Sequence, residues 1–268
     1  MTNNYSIADL RYLMKRLRDP DTGCPWDIKQ TYKSIASHTI EEVYEVVDAI
    51  ERENIEHLSE ELGDLLFQII FYSQLGEEDH QFNFDTVVST ITEKLLRRHP
   101  HVFPDGTLIS VRAENQVASE KEIKRNWELI KQQERNDKGE HGLLEDIPQA
   151  LPALMRAAKL QKRAASVGFD WTEAESVIAK LKEEIAELEV EITSANAQGI
   201  DEEFGDVLFS CVNLARHLMV DPEKALAKSN NKFKRRFEAM EDLASVDDFS
   251  QLTAEKMEIL WSKVKLAE

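Results

Sequence analysis

The chain has 268 residues, with 42% hydrophobic and 31% charged side chains, a formal net charge of −18, nine glycines and seven prolines. That balance can bury a core and is not a disordered composition, and the scarcity of glycine and proline favours long helices over a turn-rich β architecture. The negative charge argues against a general nucleic-acid-binding surface, although it leaves room for a small phosphate ligand held by a metal and a few local cations.

In chain order, residues 6–18 read as a helix, with Ile7, Leu10, Leu13, Met14 and Leu17 at helical spacing. The stretch from Asp19 to Trp26, with two prolines and a glycine, breaks it. A first acidic helix is expected from about Ser34 to Arg52, with Ile40, Val43, Val47 and Ile50 as its buried stripe. The next runs from about Ile55 to Leu75, with Gly76 as its stop. Asp85 opens another helix to about Arg98, a loop spans Pro100 to Gly106, and a charged helix follows from about Ser110 to Glu134.

Residues 135–142, polar and with two glycines, form the expected linker. A helix over Leu151 to Ala165 then precedes a break at Val167-Gly168-Phe169-Asp170-Trp171. Thr172 and Glu175 look like a capping box for a second acidic helix that buries Ile178, Leu181, Ile185, Leu188 and Ile192 and is broken by Gly199. A helix carrying Glu203 runs to about Met219, another starts at Asp221-Pro222-Glu223, and the last covers about Thr253 to Leu266. No segment shows sustained alternation, so the fold class is all-α.

One pattern occurs twice. Glu41-Glu42-Val43-Tyr44-Glu45 is followed by Glu61-Leu62-Gly63-Asp64, and every acidic residue and the glycine recur 142 positions later in Glu183-Glu184-Ile185-Ala186-Glu187 and Glu203-Phe204-Gly205-Asp206. This predicts two tandem helical-bundle domains, residues 1–134 and 143–268. Residues three apart share a helix face. Glu42, Glu45, Glu61 and Asp64 therefore converge if their helices pack, and so do Glu184, Glu187, Glu203 and Asp206. Four like charges need protons or a cation, and a hard divalent ion such as Mg²⁺ fits oxygen ligands. A glycine inside each Glu-x-Gly-Asp costs roughly 1 kcal/mol of helix propensity, which suggests close approach of another backbone. A Glu-x-x-His pair, the mark of di-iron bundles, occurs only at Glu77 and His80, with no second-half match.

Lys232, Lys234, Arg235 and Arg236 form the densest cationic spot, echoed by Lys94, Arg97 and Arg98. Lys232 and Arg236 share a face and suit a phosphate clamp. Trp127 and Trp261 recur in matching contexts, and His38, His99, His101 and His217 read as isolated structural or surface residues. Two widely spaced cysteines, an N-terminus unlike a signal peptide and the lack of any ~20-residue apolar run suggest a cytoplasmic protein with no membrane partner.

These acidic motifs resemble the MazG family of nucleoside triphosphate pyrophosphohydrolases. The likeness extends to Gly23-Cys24-Pro25-Trp26-Asp27, Arg97-Arg98-His99-Pro100-His101-Val102-Phe103, Val167-Gly168-Phe169-Asp170-Trp171 and Asn213-Leu214-Ala215-Arg216-His217. The resemblance implies an all-α fold, a homodimer and Mg²⁺-dependent hydrolysis of nucleoside triphosphates to monophosphate and pyrophosphate. It places both quartets on metal positions, and Lys180, Glu184, Asp206, Asn230, Lys232, Arg236 and Trp261 on nucleotide, with Lys94, Arg98 and Trp127 as first-half counterparts. Glu183 is the expected general base. A family lysine before the second Glu-x-x-Asp is replaced here by Gly199-Ile200-Asp201-Glu202. Thr92 and Glu93 stand where the second half has Asn230 and Asn231, which points to the second domain as the main catalytic one. The alternative is a module that senses nucleotide or binds a protein partner without hydrolysis; the sequence names no such partner.

Overall fold

The computed structural model describes residues 4–113, 119–137, 142–244 and 249–267. The described residues are helical, apart from turns and loops, and contain no strand. The chain divides into two compact units, residues 1–130 and 131–268. No helix among the described residues is long and apolar enough to cross a membrane.

In the first unit, α1 (Ile7–Leu17) starts at a capping box in which Ser6 and Asp9 satisfy each other's backbone N–H groups. A short helix that periodicity did not reveal, α2 (Pro25–Lys29), begins with proline at its first position. Then come α3 (Ala36–Glu51), α4 (Ile55–Glu78) and α5 (Phe84–Arg98), and α6 (Glu120–Asp137) runs across the boundary at residue 130. Helix α4 is the hub: α1, α3 and α5 all pack on it. Met14, Ile35, Ile70, Phe71 and Leu75 form the core, with Leu10, Leu66, Phe67, Tyr72 and Phe84 around them. Gly76 does not stop α4. It is buried inside the last turn, where an added Cβ would lie 2.8 Å from the Phe82 ring, so a glycine is needed for packing rather than for termination.

The charged helix begins at Glu120, later than expected, where Ser119 and Glu122 exchange backbone hydrogen bonds; residues 114–118 lie outside the described residues. It runs to Asp137, three residues into the expected linker, of which residues 138–141 are not described.

The second unit contains α7 (Ala153–Ala165), α8 (Ala174–Ser194), α9 (Ala197–His217), α10 (Pro222–Ala244), a 3₁₀ turn at Phe249–Gln251 and α11 (Ala254–Ala267). Helix α9 packs on α8 and α7, and α10 packs on α7, α9 and α11. Two expectations are corrected. Thr172 does not cap α8, whose N-cap is Glu173 with no side-chain cap bond. Gly199 does not break a helix but lies buried in the first turn of α9. The chain turns instead at Ala195, held in the left-handed region (φ 54°), just as Glu53 (φ 55°) turns α3 into α4. Lys224 N–H donates to Asp221 Oδ1 at 3.1 Å, as expected for the α10 cap.

Two motifs that lie far apart in sequence meet at the end of α9. Arg216 donates to both Asp170 oxygens and to Asn213 Oδ1, and His217 Nε2 lies 3.1 Å from Asp170 Oδ1. His217 is thus part of a charged network that pins the α7–α8 loop, not an isolated histidine. The Arg216 hydrogen bonds hold the Asp170 carboxyl below its ordinary range against the opposing effect of burial. A depressed folded-state value means stability that is present above the ordinary carboxylate range and is lost as pH falls through the folded value. Acid titration followed by thermal unfolding should show the second unit losing stability below about pH 4, with a shallower slope in Asp170→Asn. Equal slopes in the two proteins would refute this account.

Candidate metal centres

Each acidic motif sits on a helical hairpin, α3–α4 or α8–α9, and each hairpin is a closely packed pair. In the first unit Glu42, Glu45 and Glu61 each bring a carboxylate oxygen within 4.8 Å of the others. Glu184, Glu187 and Glu203 do the same in the second. Three of the four expected carboxylates therefore converge. Asp64 and Asp206 sit one helical turn after Glu61 and Glu203, outside the closest cluster, but still push the carboxyls of Glu42 and Glu203 upward.

The environment of these groups is what a cation would relieve. Glu61 and Glu184 are buried. Burial raises the carboxyls of Glu42, Glu61, Glu187 and Glu203 above the ordinary range, and the neighbouring carboxylates raise them further. Clustered oxygens of this type suit a hard divalent ion. Gly63 and Gly205 lie beside the clusters, yet an added Cβ at either would meet nothing within 4 Å. The expected close backbone approach is absent among the described residues, and both glycines face open space.

The two sites differ in their cationic neighbours. Lys180 reaches Glu183 at 2.7 Å and Glu184 at 2.9 Å, and those bonds push its ammonium upward. Glu183 is therefore outside the trio, exposed and held by Lys180. In the first unit His38 takes the register of Lys180; it lies 3.6 Å from Glu41 and edge-on to Trp26. His57, which sequence reasoning passed over, lies 3.2 Å from Glu61. Its i,i+4 spacing to Glu61 was the available signal.

The expected phosphate clamp lies on other helices. Asn230, Lys232 and Arg236 are on α10, and the Arg236 guanidinium lies 5.7 Å over the Trp261 ring. Trp261 is half-buried and packs on Phe233 at 5.6 Å. Lys94 and Arg98 are on α5. Trp127, also half-buried, meets His99 edge-on at 5.3 Å, and His99 lies 5.5 Å from His101. These two histidines form an aromatic cluster and are not isolated.

Much of the apolar stripe on each acidic helix is left exposed by the described residues. Ile40, Val43, Val47 and Ile50 are each about half exposed on α3, as are Ile178, Ile185 and Ile192 on α8. The periodicity identified an apolar face correctly, but the described residues leave much of it exposed.

The model of the MazG nucleotide pyrophosphohydrolase domain matches residues 30–103 and again 172–240. Those spans contain both trios, Lys94, Arg98, Asn230, Lys232 and Arg236, and exclude Trp127 and Trp261. A nucleoside triphosphate pyrophosphohydrolase of Escherichia coli strain K12 is 48% identical over 98% of both chains. A nucleoside triphosphate pyrophosphohydrolase/pyrophosphatase MazG of Thermotoga maritima is 41% identical over 97% of this chain and 95% of its own.

Proposed function

Since the chain belongs to the MazG nucleotide pyrophosphohydrolase family and is a nucleoside triphosphate pyrophosphohydrolase, we propose that it works with Mg²⁺ and that the second unit is its main catalytic site. The observation that carries the reading is the packed α8–α9 hairpin, which gathers Glu184, Glu187 and Glu203 within 4.8 Å with Asp206 one turn away. Those residues would hold the ion. When bound, Mg²⁺ supplies charge neutralisation at the phosphate oxygens.

The chain's own groups do the rest. Lys180 fixes Glu184 by an ion pair, which orients that carboxylate before substrate arrives. Glu183 projects into solvent beside the trio, where it accepts a proton from water attacking the α-phosphorus. Lys232 and Arg236 take phosphate oxygens, Asn230 adds an amide beside them, and Trp261 provides a ring on which Arg236 already rests. The first unit keeps Glu42, Glu45, Glu61, Asp64, Lys94, Arg98 and Trp127 but has Thr92 and Glu93 in place of two asparagines, which weakens its clamp. The domains are residues 1–134 and 143–268, joined by 135–142. A cytoplasmic location belongs to the same reading and is supported by the free thiols of Cys24 and Cys211.

The uncovered stripes support a homodimer. Ile178, Ile185 and Ile192 lie at heptad spacing, and Phe204, Leu208 and Phe209 on α9 are similarly exposed. Contiguous apolar faces of this kind mark association sites. Ile185→Asp should shift sedimentation equilibrium from dimer to monomer; a monomeric parent protein would end the proposal.

Incubation with mixed nucleoside triphosphates and Mg²⁺, resolved by ion-exchange chromatography, tests the function directly. Monophosphate and pyrophosphate are expected. Diphosphate and phosphate, or no product, would overturn it.

A further inference from the structure

In the first unit, a cavity of about 210 Å³ lies between α1, α4 and the start of α5. A cavity of roughly 150 Å³ is enough for a benzene ring, so this one has room for a small metabolite. None of the residues that line it belongs to an acidic trio or to the phosphate-binding cations.

Its two long walls have opposite chemistry. The α1 wall carries Arg11 and Lys15, four residues apart and so on one helix face. The two terminal nitrogens of Arg11 bond the Asp85 carboxylate at 2.8 and 3.1 Å, and the guanidinium lies 5.2 Å over the Phe84 ring. The charge of Arg11 is therefore matched. The Lys15 ammonium makes no ion pair or hydrogen bond among the described residues. The α4 wall carries Ser73, Gln74 and Glu77. Ser73 gives its hydroxyl hydrogen to the Ile69 carbonyl at 2.8 Å, and Gln74 donates its amide to Glu78 at 2.9 Å, which leaves an oxygen on each as an acceptor. The Glu77 carboxylate, like Lys15, has no partner among the described residues. Buried Ile70 and the Phe84 ring supply the apolar lining.

One small cavity is thus lined by an ammonium and a carboxylate that do not bond each other. A simple anion would meet Glu77, and a simple cation would meet Lys15 and Arg11, each at an electrostatic cost. A molecule that carries both charges answers both walls with charge-assisted hydrogen bonds.

The duplication shows that the fold does not require this chemistry. Leu13-Met14-Lys15-Arg16 recurs as Leu160-Gln161-Lys162-Arg163, and Met14 and Gln161 are both buried. In that register Ala158 takes the place of Arg11. At the 142-residue offset of the acidic motifs, Ser73, Gln74 and Glu77 become Ala215, Arg216 and Met219, while Ile70 becomes the buried Val212. The apolar floor and one lysine are kept, but the acceptor wall is lost, and Arg216 is bound to Asp170.

We propose that the cavity is a binding site for a free α-amino acid with a small apolar side chain. Lys15 takes its carboxylate, Glu77 takes its ammonium, and Ile70 and Phe84 pack against its side chain. The site belongs to the first unit alone, and it does not depend on the reading of the trios as Mg²⁺ centres.

L-Valine and L-leucine are the probes, followed on the full-length chain by ligand-observed saturation-transfer nuclear magnetic resonance. Both should give saturable binding. Valinamide lacks the carboxylate and N-acetylvaline lacks the ammonium, and each should bind about tenfold or more weakly than L-valine. Lys15→Met and Glu77→Gln alter exposed side chains, and each should weaken L-valine by a similar factor, with circular dichroism confirming that both variants are folded. Lys162→Met, at the same register of the second unit, should leave L-valine binding unchanged. The proposal is overturned if neither amino acid binds saturably, if the two derivatives bind as tightly as L-valine, or if both first-unit variants keep the parent affinity.

Discussion

Glu203→Ala is expected to lower turnover of nucleoside triphosphates by about a thousandfold, whereas Glu61→Ala should leave turnover within a few-fold of the parent chain. Both residues occupy the same place in their hairpins, as the second-helix member of a trio. Their surroundings differ. The second trio is backed by Lys180, and the second half carries Asn230 beside Lys232. In the first half His38 replaces the lysine, while Thr92 removes an amide and Glu93 adds a negative charge. Removal of Glu203 takes away one of three converging oxygens and leaves Glu184, buried, without the arrangement that a cation would neutralise. Single-turnover kinetics with saturating Mg²⁺ would separate a loss of metal from a loss of chemistry. Intact turnover in Glu203→Ala together with its loss in Glu61→Ala would reverse the assignment of the main site. The same assay examines Glu183. If it is the base, Glu183→Gln cuts turnover with little change in metal binding, and unchanged turnover removes it from the mechanism.

The second large effect concerns stability. Arg18→Ala should destabilise the first unit by about 2–3 kcal/mol, at the lower end of what breaking a buried ion pair costs. The Arg18 side chain is only 7% exposed and its guanidinium is fully used. It holds Glu78 at 2.7 Å, donates to the carbonyls of Asp27 and Gln30, and lies 5.2 Å over the Phe71 ring. One side chain thus ties the end of α1 to the end of α4 and to the middle and C-cap of α2. Glu78 is partly open to water, which softens the loss. Burial pushes the Glu78 carboxyl up, but hydrogen bonds from Arg18 and Gln74 more than offset this and leave it lowered. That contribution is present above the ordinary carboxylate range and disappears as pH falls through the folded value. Differential scanning calorimetry should therefore show a large drop in the first unit's transition at neutral pH and a smaller one in acid. A drop that does not depend on pH would mean that Arg18 acts through packing alone.

How far the sequence could be read depended on the range of the interaction. Helix positions follow from 3.6-residue periodicity, and the carboxylate faces follow from i,i+3 spacing, so Glu42 with Glu45 and Glu184 with Glu187 were legible at once. The Asp221-Pro222 start of α10 and the Thr253 start of α11 were also local signals, each made by residues within one turn. Glycines were misread at Gly76 and Gly199 because a helix stop and a crowded interior place demand the same residue. Only the approach of Phe82 to Gly76, or of Glu191 to Gly199, separates the two. The capping box at Thr172 failed for a related reason: the chain enters α8 one residue later, at Glu173.

By itself the sequence determined the all-α class, the duplication, the identity of the acidic residues and the family, because each of these is written in short-range pattern or in repetition of it. The tertiary structure alone decided which carboxylates meet. It brought Glu61 to Glu42 and Glu45 and left Asp64 a turn away, set His57 against one trio and Lys180 against the other, and joined Asp170 to Arg216 and His217. It also left Ile40, Val47, Ile185 and Ile192 uncovered. Periodicity shows that a face is apolar, but what covers that face depends on packing between distant segments, and here the described residues do not supply it.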